Sequence, residues 1–106
     1  MGYVYLIEEQ REDSAVYKIG VTKNKVEKGR LSNLQTGNSD DLYVVNVFEC
    51  EYYHKLEGML HRKYAGINKR GEWFKLKDEE VLTFTETCQN LYNTIELLID
   101  DNPFYN

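Results

Sequence analysis

Residues 2–8 and 16–22 are aromatic, β-branched runs separated by a charged connector poor in apolar side chains. That arrangement predicts a β-hairpin at the start of the chain. The first run, Gly2-Tyr3-Val4-Tyr5-Leu6-Ile7, carries apolar side chains on both faces, which suits an interior strand. In the second, Tyr17, Ile19 and Val21 point one way while Lys18, Gly20 and Thr22 point the other. The second face of that strand is therefore free to carry chemistry.

Asn24, with Glu27 three residues later, resembles a helix-capping arrangement, and Gly37 is a natural C-terminal stop. A helix over residues 25–36 follows, with Arg30 inside it. Residues 42–50 (LYVVNVFEC) are β-branched and aromatic and predict a third strand. From Glu51 the period changes, and Tyr52, Tyr53, Leu56, Met59, Leu60 and Tyr64 recur at helical spacing. Residues 66–71 (GINKRG) predict a basic loop, and residues 72–76 a short final strand with Trp73 and Phe74 in the core. Residues 78–99 predict one long amphipathic helix, with Val81, Leu82, Phe84, Cys88, Leu91, Tyr92, Ile95, Leu98 and Ile99 on its apolar side.

The expected class is therefore α+β: a small antiparallel-rich central sheet of three core strands plus a short fourth, flanked by helices, with an added C-terminal amphipathic helix. A chain of 106 residues has room for one hydrophobic core. The predicted division is a core over residues 1–77, a helix over 78–100 packed on it or used for homodimerisation, and a tail over 101–106.

Net charge is −5, which by itself argues against a nucleic-acid partner. The average conceals segregation. Residues 17–30 hold Lys18, Lys23, Lys25, Lys28 and Arg30 against Glu27 alone, and residues 61–77 hold Arg62, Lys63, Lys69, Arg70, Lys75 and Lys77 against Glu72 alone. Residues 78–101 carry seven acids and no base. One basic and one acidic face on a single domain are the consequence, with Lys23, Lys25, Lys28, Arg62, Lys69 and Arg70 as candidate DNA contacts. Cys50 and Cys88 fit neither a zinc spacing nor a disulfide scaffold, so reduced, buried thiols are expected. No apolar run is long enough to span a membrane, and the N-terminus lacks a signal-peptide pattern. The expected setting is intracellular, cytoplasmic or nucleoid-associated, with no membrane partner.

Four residues suggest a chemistry. Hydrolysing a phosphodiester needs an activated water, neutralisation of the nonbridging oxygens and help for the leaving oxygen. Tyr5 is a candidate to orient or deprotonate the water, given a nearby cation, because an ordinary phenol titrates near 10. Lys18 or a bound divalent ion could supply that field. Arg30 offers a planar donor fork for phosphate, and Glu57 is a hard oxygen ligand of the kind Mg²⁺ takes sparingly. Tyr3, Tyr17, Gly20 and His61 are possible neighbours of the site, His61 lying one helical turn after Glu57.

Taken in order, the hairpin pair, Arg30, Glu57 and Gly71-Glu72-Trp73-Phe74 resemble the GIY-YIG nuclease superfamily. The likeness covers residues 2–76 and is closest to the phage-type DNA-binding branch, in which the second tripeptide reads Lys-Ile-Gly. Tyr3-Val4-Tyr5 stands at the first tripeptide and Lys18-Ile19-Gly20 at the second. The resemblance implies Tyr5, Lys18, Arg30 and Glu57 as catalytic residues, a three-stranded antiparallel core, and one Mg²⁺ or Mn²⁺ ion held through Glu57. The chain departs from the pattern at Lys18, where most relatives place tyrosine, and at Leu34, where some place histidine. The asparagine that many relatives use near the end of the core has no clear counterpart here. The implied function is a metal-dependent DNA endonuclease domain. The alternatives are a catalytically impaired DNA-binding module and a protein-interaction domain built on the acidic C-terminal helix.

Overall fold

The computed structural model describes residues 1–11, 14–30 and 41–101. The expected hairpin is present: β1 (Gly2–Gln10) pairs antiparallel with β2 (Ala15–Thr22), in a register running from Tyr3↔Thr22 to Gln10↔Ala15. Strand β3 (Gly29–Arg30) lies on the outer edge of β4 (Asp41–Cys50), and β4 pairs with the other side of β1. β1 is thus interior in the strand order, with Val4 and Leu6 buried on one face and Tyr3, Tyr5 and Ile7 half-buried on the other. Beyond β2 come β6 (Trp73–Phe74) and then β5 (Asn68–Arg70), giving the antiparallel order β3-β4-β1-β2-β6-β5. The three core strands and the short fourth are as expected; β3 and β5 are additional edge pieces.

Residues 25–30 depart from the predicted helix. Gly29 has φ +130°, which no α-helix accommodates, and Gly29 and Arg30 pair with Val44 and Tyr43 instead. The unpaired backbone edge of β4 offers those hydrogen bonds, and this outweighs the weak Asn24/Glu27 capping signal. Residues 31–36 of that predicted helix lie outside the described residues. The basic loop at 66–71 is likewise more ordered than its composition suggests. A 3-10 turn (Ala65–Ile67) leads into β5, and Gly71, at φ +56°, turns the chain into β6. Asn68 clamps that hairpin by donating from Nδ2 to the carbonyls of Gly71 (2.8 Å) and Trp73 (3.0 Å).

One face of the sheet holds the core. Val4, Leu6, Tyr17 and Ile19 point to it by alternation. They meet Leu56, Leu60 and Tyr64 from the helix α1 (Tyr53–Lys63) and its C-cap, together with Phe74 of β6. The predicted C-terminal helix is two helices, α2 (Asp78–Leu82) and α3 (Phe84–Asp101). Thr83 separates them: its Oγ1 donates to the Glu79 carbonyl at 2.8 Å, the local bond by which threonine competes with a helix. The break swings Phe84 into the core at 0% exposure, followed by Cys88 and Ile95, and leaves Leu82 85% exposed. Leu98 is also exposed, so the buried stripe is narrower than the sequence pattern implies. Both cysteines are free and buried. Among the described residues no helix is long and apolar enough to cross a membrane.

Tyr17 belongs to this core rather than to a site. Its hydroxyl donates to Glu8 Oε2 at 2.9 Å, and burial, then that carboxylate, pushes the phenol up to about 12. A folded-state value above the ordinary 10 means stability that is complete below pH 10 and lost as pH rises towards 12. Burial also pushes the Cys50 and Cys88 thiols up, to about 11 and about 12, so they titrate in the same alkaline window. Urea midpoints of the natural protein and Tyr17→Phe between pH 9 and 12 isolate the phenol. The variant is expected to lose about 2 kcal/mol less across that range. Parallel curves would show that the phenol is not coupled to folding.

Candidate metal centre and its surroundings

The site forms where β2 outruns its neighbour. Strand β6 pairs with β2 only at Tyr17 and Lys18, and one further bond, from Ile19 N–H to the Glu72 carbonyl (3.1 Å), ends the contact. Helix α1 fills the space alongside. Its Glu57 and His61 lie one turn apart, with His61 Nε2 3.9 Å from Glu57 Oε2. His61 Nε2–H donates to the Ile19 carbonyl at 2.9 Å, since a carbonyl only accepts, and the ring meets Phe74 edge-on at 4.9 Å between centroids. The ring is thereby fixed, and Nδ1 is left with the free lone pair.

Glu72 completes the cluster from the β5–β6 hairpin. One ligand atom each from Glu57, His61 and Glu72 lies within 4.8 Å of the others, the only such group of three among the described residues. Burial raises the Glu57 carboxyl above its usual range; His61 opposes that, while the Glu72 charge and a carboxyl–carboxyl hydrogen bond add to it. Two charged carboxylates this close repel, and a cation between them would relieve that repulsion. The two carboxyl groups are the oxygen donors a hard divalent ion takes, and the imidazole adds a nitrogen donor of the kind transition metals accept.

Tyr5 reaches the same corner by an unusual route. It sits opposite Gly20 in the register, and a Cβ built on Gly20 would stand 2.6 Å from Tyr5 Cζ and closer still to the hydroxyl. Only glycine lets the ring lie flat across β2. Burial raises the Tyr5 phenol, and Glu72 and Glu57 raise it further, so the hydroxyl keeps its proton in this field. The charges acting on it are these carboxylates and not the Lys18 ammonium expected from the sequence.

The structure therefore gathers Tyr5, Gly20, Glu57 and His61. Lys18 lies one alternation further along the same face of β2, opposite Ile7 and beside Trp73, where it lines a separate hollow. Arg30 stands apart: its backbone is in β3, and β4 and β1 intervene before β2. At about 4.8 Å per strand, β3 and β2 are roughly 14 Å apart. Tyr3 is half-buried opposite Thr22, and Tyr17 is in the core. Of the candidate DNA contacts, Lys23, Lys25, Lys28, Arg62 and Arg70 are exposed, and the Lys69 side chain lies outside the description. Sequence reasoning missed Glu72. Its signals were being the single acid within an otherwise basic run and standing in the Gly71-Glu72-Trp73-Phe74 motif of the resemblance, which assigned it no role. Trp73, expected in the core, is half-buried on the opposite face from Phe74.

Sheet, helix and cluster together define a small α+β domain with a tyrosine set against a carboxylate–histidine corner. The T5orf172 domain family model matches residues 2–89, and the chain belongs to that family. The match runs past residue 76 and takes in the start of α3. No curated protein and no solved structure matches the chain significantly. Membership is compatible with a DNA-binding or nuclease-like module.

Proposed function

We propose that this chain is a metal-dependent DNA endonuclease domain of the GIY-YIG type. The observation that supports it best is Tyr5 lying across Gly20 into the field of Glu57 and Glu72, beside His61. Glu57, with Glu72 as a further oxygen donor and the His61 ring beside them, would hold Mg²⁺ or Mn²⁺, which would supply charge neutralisation at the phosphate and a more acidic water. Tyr5, as a neutral phenol, orients the attacking water by hydrogen bonding. The Ile19 carbonyl keeps the His61 ring from turning away. Lys18 holds a phosphate of the substrate on the β2 face. Arg30 keeps the phosphate-holding role that the resemblance implies, which requires the substrate strand to run across the sheet from β2 towards β3.

A second reading, a DNA-binding module without turnover, is favoured by the separation of Lys18, and of the β3 backbone that carries Arg30, from the Tyr5 corner. Plasmid nicking with and without Mg²⁺ decides between them. The natural protein is expected to nick only with the divalent ion, and Glu57→Ala and Arg30→Ala to lose at least 10²-fold, the scale seen when transition-state charge stabilisation is removed. Cutting by both variants at the rate of the natural protein would overturn the endonuclease reading. Salt-sensitive binding without nicking under Mg²⁺ or Mn²⁺ would establish the second.

A further inference from the structure

On the sheet face opposite the core, beside the Tyr5 corner, a hollow of about 640 Å³ lies between β2 and the β5–β6 hairpin. Glu72 borders both it and the metal-ligand cluster, so the two are contiguous. Two of its charges cancel: Arg11 directs Nε and Nη2 at the same oxygen of the buried Glu9, both at 2.7 Å. Lys18 and Arg70 remain, with the exposed Glu72 carboxylate on the side towards the metal-ligand cluster. Among the described residues neither side chain has an ion-pair or hydrogen-bond partner, and the half-buried Trp73 indole between them has none for its N–H. Two uncommitted cations and one aromatic plane in a hollow of ligand size are the elements that bind a nucleotide, the cations for phosphate and the ring for a base face. A lone inorganic anion would have no use for the indole.

We propose that this hollow takes one nucleotide with an unpaired base, its phosphate between Lys18 and Arg70 and its base stacked on Trp73. The proposal rests on the phosphodiesterase reading of the adjoining cluster and specifies its substrate class. A base inside a duplex has both faces covered by its neighbours, so the strand that fits is single-stranded or locally unpaired DNA.

Trp73 is the chain's one tryptophan, so its fluorescence reports this hollow alone. The full chain is titrated with the tetranucleotide (dT)₄ in EDTA, with inorganic phosphate and a blunt duplex as separate arms. Saturable quenching by (dT)₄ is expected, with none from phosphate and at least tenfold weaker binding of the duplex. Lys18→Ala and Arg70→Ala are each expected to weaken binding about fivefold and to flatten its salt dependence. Trp73→Leu, followed by anisotropy of labelled (dT)₄, is expected to weaken it about tenfold. Absent quenching, equal duplex affinity, quenching by phosphate alone, or unchanged affinity in the three variants would each overturn the proposal. Because the titration excludes divalent ions, its outcome is separate from nicking: quenching without any nicking would sink the endonuclease reading and leave this site standing. Glu57-dependent nicking without quenching would do the reverse.

Discussion

Tyr5→Phe is expected to lower Mg²⁺-dependent nicking by about 10²- to 10⁴-fold, the range for a positioned proton-handling or water-orienting group, with little change in folding. The oxygen removed makes no hydrogen bond within the described residues. Gly20→Ala is expected to give a comparable loss while every proposed functional atom stays in the chain. Its new Cβ would lie 2.6 Å from Tyr5 Cζ, so the ring must leave its place across β2. Because the obstructed group is the far end of one half-buried side chain and not backbone, the cost to folding stays near about 1–3 kcal/mol. The double variant is expected to be no slower than Tyr5→Phe alone, since a glycine that acts only by seating the ring has nothing left to seat. Full activity in Tyr5→Phe would remove the tyrosine from the mechanism. Additive losses in the double variant would show that Gly20 acts by another route.

Which of these features the sequence disclosed follows from how local their causes are. The β1–β2 hairpin was legible because period-two alternation and a polar connector are properties of neighbouring residues. Glu57 and His61 were legible as a pair because four residues make one helical turn. Strands β3 and β5 carry no such signal, having two and three residues, and exist because a longer strand offers them a free edge. The helix expected at Arg30 failed for a related reason: a capping pattern worth about 1 kcal/mol competes with edge pairing and with Gly29 at positive φ. Glu72 reaches the cluster only because Trp73 and Phe74 register against Lys18 and Tyr17. That is a long-range fact no local window holds. Trp73 is different, since adjacent residues in a strand face opposite ways, and placing both it and Phe74 in the core contradicted the alternation rule itself.

Phe84→Ala is expected to be the most destabilising single change in the C-terminal region, at about 3–5 kcal/mol. The ring is 0% exposed and packs with the cluster that includes Leu56, Leu60 and Cys88. Domains of this size are stable by about 5–15 kcal/mol, so the variant sits near the threshold of folding at 37 °C. Leu82→Ala, two residues earlier and 85% exposed, is expected to shift stability by less than about 0.5 kcal/mol. Urea denaturation followed by circular dichroism checks the contrast. The result bears on function because α3 packs against α1, which carries Glu57 and His61, and the family match extends through Phe84 and Cys88. A helix that merely served self-association would tolerate Phe84→Ala in the monomer. A loss above about 3 kcal/mol, with the midpoint independent of protein concentration, makes α3 part of the wall behind the site. A loss below about 1 kcal/mol would detach it from the core.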